Sequence, residues 1–255
     1  PPPPPGRRPA SAAPAGAPRP GAPSPARAHD TDATPPLPPL LPPPATVASL
    51  VQTMGRGDGI RVVAYASEGL YSAARVWWMF RAMGHEDVAV LNGGLKKWKA
   101  ENRPTTNEPP GPRSERHFTP RFNSALVRDL DDVRRIVRKG DEEIVDARAA
   151  ARFRGEVTEP RKGLRSGHMP GAKNVPFTTL LQDDGTLLAT DQLRAKFVEA
   201  GVDLTKPITT SCGSGVTAGV LAISLALMGY PDSAVYDGSW SEWGHEDAGT
   251  DVIME

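Results

Sequence analysis

Two stretches of the chain are apolar on nearly every side. Residues 72–83 include Val76, Trp77, Trp78, Met79 and Phe80, and residues 216–228 are apolar almost throughout, hold no proline and end at Gly229. Neither has the one-sided stripe of a surface helix, so both read as buried helices, the second with a glycine stop. A short strand pattern precedes each, at 61–65 and 206–210. Around them the alternation continues: a short helix at 46–56, a strand at 88–91 and a basic helix at 94–101. Helices are also predicted at 130–138, 149–153 and 190–200, with strands at 143–146 and 172–176, the former read as the central one. Strands alternating with helices predict parallel sheets covered by helices, with a ligand site at the carboxyl ends of the strands.

The pattern repeats at an offset of 145 positions. Ser72-Ala73 falls on Thr217-Ala218, Met83-Gly84 on Met228-Gly229 and Asp87 on Asp232. Asn92-Gly93 falls on Asp237-Gly238, Trp98 on Trp243, and Ser67 on Cys212. At this period the repeat is a duplicated α/β unit rather than a solenoid. The run Gly167-His168-Met169-Pro170-Gly171-Ala172 has no counterpart 145 positions earlier, where Ala22-Pro23-Ser24-Pro25-Ala26-Arg27 stands. The first unit is therefore expected to be incomplete. We divide the chain into a Pro/Ala-rich segment at 1–45, a partial first unit at 46–110, a linker at 111–121 and a second unit at 122–255.

Composition narrows the classes. Thirty basic residues balance thirty acidic ones over 255 residues, which gives no electrostatic case for nucleic acid or an anionic membrane. The Lys96-Lys97-Trp98-Lys99 cluster reads as a solvated helix face with one anchoring tryptophan. No apolar run is long enough to span a bilayer. The proline-dense segment 1–45 is expected to be disordered or polyproline-like. Its Arg7, Arg8, Arg19 and Arg27 resemble those of an organellar transit peptide, but the proline density opposes an amphipathic helix. One cysteine excludes an internal disulfide and suits a reducing compartment, with the cytoplasm the expectation and the mitochondrion the alternative.

That cysteine carries the candidate chemistry. Cys212 stands in Ser211-Cys212-Gly213-Ser214-Gly215-Val216-Thr217-Ala218, between a predicted strand and a predicted buried helix. Two glycines there let backbone N–H groups converge on one point, and the helix start adds its positive dipole end; both stabilise negative charge on sulfur. The plainer alternative is a small buried hydrophobe. Phosphoryl transfer is disfavoured because Ala218 stands where a phosphatase loop needs arginine. No local cysteine-protease signature is present, and one cysteine with five histidines offers no paired zinc spacing. What remains is a thiolate in an anion-cradling loop.

The loop Cys212-Gly213-Ser214-Gly215-Val216-Thr217 resembles the active-site loop of the rhodanese superfamily, in its Cys-Gly-Ser-Gly form the 3-mercaptopyruvate sulfurtransferases. The runs Val145-Asp146-Ala147-Arg148, Arg152-Phe153-Arg154-Gly155, Glu159-Pro160-Arg161-Lys162-Gly163, Gly167 to Ala172 and Tyr236-Asp237-Gly238-Ser239-Trp240 agree with it in order, over residues 58–246. The resemblance implies tandem rhodanese-like domains, each a parallel sheet flanked by helices, with the nucleophile only in the second. It implies Cys212 as nucleophile, Arg152 and Arg161 as substrate-binding residues, and the backbone of Gly213, Gly215, Val216 and Thr217 as the cradle. Arg148 is expected either at the substrate or in a structural pair with Asp146, Arg154 stays open, and His168 is expected in the scaffold. Ser214 matches a serine that works with a histidine and an aspartate of the first domain; neither His29 nor His85 sits in the matching motif, which leaves a relay through Ser214 without its partners.

The implied reaction moves sulfur from 3-mercaptopyruvate through a Cys212 persulfide to thioredoxin, a small thiol or cyanide, with no metal or organic cofactor and no nucleic-acid or membrane partner. Two alternatives stay open: thiosulfate as donor, and a non-catalytic rhodanese-like binding or regulatory module.

Overall fold

A computed structural model of the protein describes residues 40–67, 69–107 and 114–254. The prediction of disorder lies outside this range for residues 1–39, as does His29, whereas at residues 40–45 it is corrected: Leu41 donates its N–H to Asp237 and a helix already begins at Pro44. The first unit comprises α1 (Pro44–Thr53), β1 (Val62–Ala64), α2 (Tyr71–Ala82), β2 (Val88–Val90) and α3 (Gly94–Ala100). The second comprises β3 (Val127–Arg128), α4 (Leu130–Lys139), β4 (Glu143–Asp146), α5 (Ala150–Phe153) and β5 (Lys173–Asn174). It continues with α6 (Thr190–Glu199), β6 (Ile208–Ser211), α7 (Ala218–Leu227), β7 (Ala234–Tyr236) and α8 (Ser239–Trp243).

Both sheets are parallel. The first pairs β1 with β2, and the second runs β3-β7-β6-β4-β5. The middle strand is thus β6, the strand that leads to Cys212, and not β4 as read from the sequence. The predicted strand at 206–210 starts two residues late, because Pro207 has no N–H for the ladder. All four residues of β6 are buried, the threonines among them; Thr210 satisfies its hydroxyl on the Ala218 and Ala234 carbonyls. Helix α4 carries a capping box in which the Asp129 carboxylate accepts from the Asp132 N–H, and it stops at Gly140.

The repeat is visible element by element. At the same 145-residue offset α1 falls on α6, β1 on β6, α2 on α7, β2 on β7 and α3 on α8. Among the described residues, the first unit has no counterparts of β3 to β5. The two units pack through equivalent helices, α2 against α7, and through equivalent positions on them. Gly219 is the repeat partner of Ala74, and a Cβ at Gly219 would lie 2.9–3.0 Å from the Ala74–Arg75 backbone. An approximate two-fold relation therefore passes through this crossing. Polar contacts obey it too: the Asn92 carbonyl oxygen accepts from the Leu187 N–H, and its repeat partner Asp237 accepts from the Leu41 N–H.

One apolar core spans the contact. It runs from Trp77, Trp78 and Phe80 of α2 to Leu221 and Leu225 of α7, and includes Cys212. A second cluster under α4 and α8 holds Tyr236, Trp240 and Trp243. The segment 114–121, read as linker, lies along the first unit: Phe118 is buried against Phe80, and the Met83 carbonyl accepts from the Arg121 N–H. Lys97 forms ion pairs with Glu101 and, across the units, Asp184. Its hydrogen bond holds the Asp184 carboxyl well below the usual carboxylate range. Trp98 is buried beside it and donates to the Pro104 carbonyl.

Because the atoms facing Gly219 are backbone and cannot yield, Gly219→Ala is expected to cost about 1–3 kcal/mol. A lower denaturant midpoint with an unchanged slope would check this; an unchanged midpoint would contradict the close crossing.

Candidate active site

Cys212 follows the last residue of β6, and α7 begins six residues later. In that interval the chain turns its carbonyls outward, and among the described residues each finds a donor except that of Ser214. The Cys212 carbonyl accepts from the Trp240 N–H at 2.9 Å. The Gly213 carbonyl accepts from the Ser241 N–H at 2.9 Å and the Ser241 hydroxyl at 2.6 Å. Arg75 reaches the Gly215 carbonyl at 3.2 Å, while those of Val216 and Thr217 accept from Gly219 and Val220 N–H groups. On the other side of the loop, the Ser214 N–H points at Cys212 Sγ at 3.4 Å. The N–H groups of Gly213, Gly215, Val216 and Thr217 have no acceptor among the described residues. Such an array stabilises negative charge on a sulfur.

Beneath the loop, Ser239 is buried with a backbone φ of 51°. Its repeat partner, Gly94, has a φ of 61°, the region glycine favours. The Ser239 hydroxyl accepts the Cys212 N–H at 3.1 Å, donates to the Tyr236 carbonyl at 2.8 Å and lies 4.0 Å from Sγ. A serine in left-handed backbone is thus offset by the contacts that seat the cysteine.

A cleft of about 130 Å³ opens beside the loop, lined by Arg152, Glu159, Pro160, Arg161, Leu164, Gly213, Ser214 and Ser241. The two arginines singled out in the sequence therefore share one cavity with the cysteine loop. Arg152 lies so close to Gly213 that a Cβ there would stand 3.0 Å from Nη2. Arg161 is exposed and donates from Nη1 to the Ser241 hydroxyl at 2.6 Å.

Glu159 braces this wall. Its side chain is buried, one oxygen accepts from Arg148 at 2.9 Å, and both oxygens engage Arg152. Arg148 is buried, paired with Asp146 at 2.8 Å, donating to the Gly167 carbonyl and lying 4.2 Å over the Trp240 ring. Of its two predicted roles, the structure selects the structural pair. Arg154 pairs with Glu156 at 2.6 Å, outside the cleft. His168 belongs to the scaffold, stacked 3.9 Å from Phe153 with Nδ1 2.9 Å from the Phe153 carbonyl. The polar loop 155–166 is closed by Arg165, which donates to the Trp243, Gly244 and Thr250 carbonyls.

Ser214 lines the cleft half-buried, and its hydroxyl makes no hydrogen bond to the described residues. His85 is buried between Phe80 and Phe118 and does not line the cleft. Among the described residues no group of three His, Cys, Asp or Glu is placed to hold a metal ion. Nor is any helix there long and apolar enough to cross a membrane. Glu159, Ser239, Ser241, Arg75 and Asp237 had no role assigned from the sequence. The one available signal was for Ser239, which replaces a glycine of the first unit in the repeat register.

The rhodanese-like domain model matches residues 30–101 and 129–246, and the chain belongs to the rhodanese family. It is 40% identical over 227 residues to human 3-mercaptopyruvate sulfurtransferase, covering 88% of this chain and 76% of that protein. It is 43% identical over 208 residues to chicken thiosulfate sulfurtransferase, covering 81% and 71%. The crystal structure of SseA from Escherichia coli, described as showing the rhodanese fold and mechanism of 3-mercaptopyruvate sulfotransferases, superposes with a TM-score of 0.69. That match has 41% identity and covers 83% of this chain and 79% of that one. The protein is an enzyme of the sulfurtransferase kind.

Glu159→Gln removes the shared carboxylate and is expected to destabilise the fold by about 1–3 kcal/mol while freeing Arg152. The expected kinetic signature is a raised KM for an anionic sulfur donor with a smaller change in kcat. An unchanged KM would show that Arg152 needs no brace.

Proposed function

We propose that the protein transfers sulfur from 3-mercaptopyruvate to an acceptor thiol or cyanide through a persulfide on Cys212. The observation that carries this reading is the shared cleft: Gly213 and Ser214 line it together with Arg152 and Arg161, and the Ser214 N–H points at the Sγ of Cys212, buried directly beneath. Two guanidiniums suit a donor with a carboxylate and a neighbouring ketone, which planar forks hold better than point charges. The Cys212 thiolate attacks the substrate sulfur. A sulfur–sulfur bond forms, the carbon–sulfur bond breaks, and the electron pair leaves as pyruvate enolate, which takes up a proton. The outer sulfur keeps its hydrogen or passes it to solvent, and the amide cradle holds the resulting anion. An acceptor thiolate, small or on thioredoxin, then attacks the outer sulfur and returns Cys212 as thiolate; cyanide acts in the same way. The neutrality of Gly213 and Ser214, which add no cation for a dianion, favours mercaptopyruvate over thiosulfate.

Intact mass after mixing with 3-mercaptopyruvate, with thiosulfate in parallel, tests this. The expected result is one sulfur gained from mercaptopyruvate, located on Cys212 and reversed by a thiol. Cys212→Ser is expected to abolish both the adduct and turnover. A gain from thiosulfate alone would reassign the donor, and no gain from either would favour a binding module. Arg152→Lys and Arg161→Lys are each expected to raise KM for mercaptopyruvate about 10- to 100-fold, the scale of one charge-assisted hydrogen bond. Wild-type KM in both variants would remove the arginines from the site.

A further inference from the structure

We propose that Arg75, a residue of the first unit, positions the sulfur cradle of the second. This rests on the sulfur-transfer reading of Cys212. Arg75 lies on α2 with its side chain buried, and its guanidinium stacks 4.6 Å from the Trp78 ring. Its Nη1 is 2.5 Å from Asp237 Oδ1, an ion pair without hydrogen-bond alignment, and donates to the Gly215 carbonyl at 3.2 Å. The other Asp237 oxygen accepts from the Leu41 N–H. Asp237 follows β7, directly before the turn that carries Ser239 and Ser241, the two hydroxyls on Cys212 N–H and the Gly213 carbonyl.

The consequence lies in one peptide unit. In a trans peptide the carbonyl and the N–H point in opposite directions, and no cis bond occurs among the described residues. Drawing the Gly215 carbonyl to Arg75 therefore turns the Val216 N–H to the other side, where no acceptor among the described residues takes it. Among those residues, every other outward carbonyl of the loop that has a donor takes it from the second unit; only this one is held by the first. Arg75 touches neither substrate nor sulfur in this assignment. It acts by fixing one donor of the cradle and by neutralising the carboxylate behind it.

Two variants test the assignment. Arg75→Met leaves Asp237 buried and unpaired, so Arg75→Met with Asp237→Asn is made beside it to keep the pocket neutral should the single variant unfold. Each is checked for folding by thermal melting and near-ultraviolet circular dichroism. In folded protein the expected kcat for sulfur transfer falls about tenfold or more, less than the full loss of an oxyanion donor, while KM for mercaptopyruvate stays within about threefold, because Arg152 and Arg161 are untouched. The rate of Cys212 alkylation by iodoacetamide at neutral pH falls in parallel, a readout that needs no sulfur donor. A folded double variant with wild-type kcat and wild-type alkylation rate would overturn the proposal and reduce Arg75 to a clamp between units. If the wild type gains no sulfur yet its alkylation slows on substitution, the donor reading fails while Arg75 keeps its role. An inert Cys212 in the wild type would overturn both.

Discussion

Helix α7 starts where the sulfur cradle ends, and at its second residue the backbone of α2 occupies the space a side chain would need. That close crossing determines how the rest of the molecule meets. It joins two copies of one structural unit at equivalent positions, so that whatever α2 carries next to Ala74 faces the back of the Cys212 loop. What it carries is Arg75. A larger residue at 219 would separate the helices by the width of a methyl group, which well-packed interiors absorb only by moving backbone. It would also withdraw the guanidinium from Gly215 and Asp237. The first unit thus holds no cysteine, yet one of its side chains reaches the backbone of the Cys212 loop.

The electrostatics of the cleft divide into two kinds. Arg148, Glu159 and Asp146 are buried, and their charges are matched within a network that holds the wall in shape. Such pairs add little net stability, but each member is costly to leave unpaired. Arg152 and Arg161 are partly or fully open to the cleft, tethered on one side and available on the other. The cradle adds positive potential with no titratable group at all, since amide dipoles need no proton balance.

The buried helices at 72–83 and 216–228 were legible because a helix apolar on every side is stable only when other elements cover it all round. The cysteine loop was legible because glycine spacing and a strand-to-helix junction are local features. The repeat puts Ser67 of the first unit at the position of Cys212. Other features were not accessible this way. The order of strands placed β6 in the middle and β4 beside it, and the hydrophobic pattern within a strand does not say which strand lies next to it. Strands β3 and β7 were missed. Glu159 stood inside a recognised motif without a role, because a carboxylate between arginines in sequence reads as an ordinary surface charge until its burial is known.

By itself the sequence determined the class of chemistry, the cysteine loop between strand and helix, and the duplication, all of which depend on residue type at short spacing. Only the tertiary structure decided which charges are buried in the wall and which open to the cleft, since that depends on burial and on partners distant in sequence, such as Ser241, which lies 80 residues from Arg161. It alone joined the two units through Gly219 and Ala74 and delivered Arg75 to the cradle. Those contacts arise where equivalent helices cross, and nothing in the local pattern of either helix encodes the distance between them.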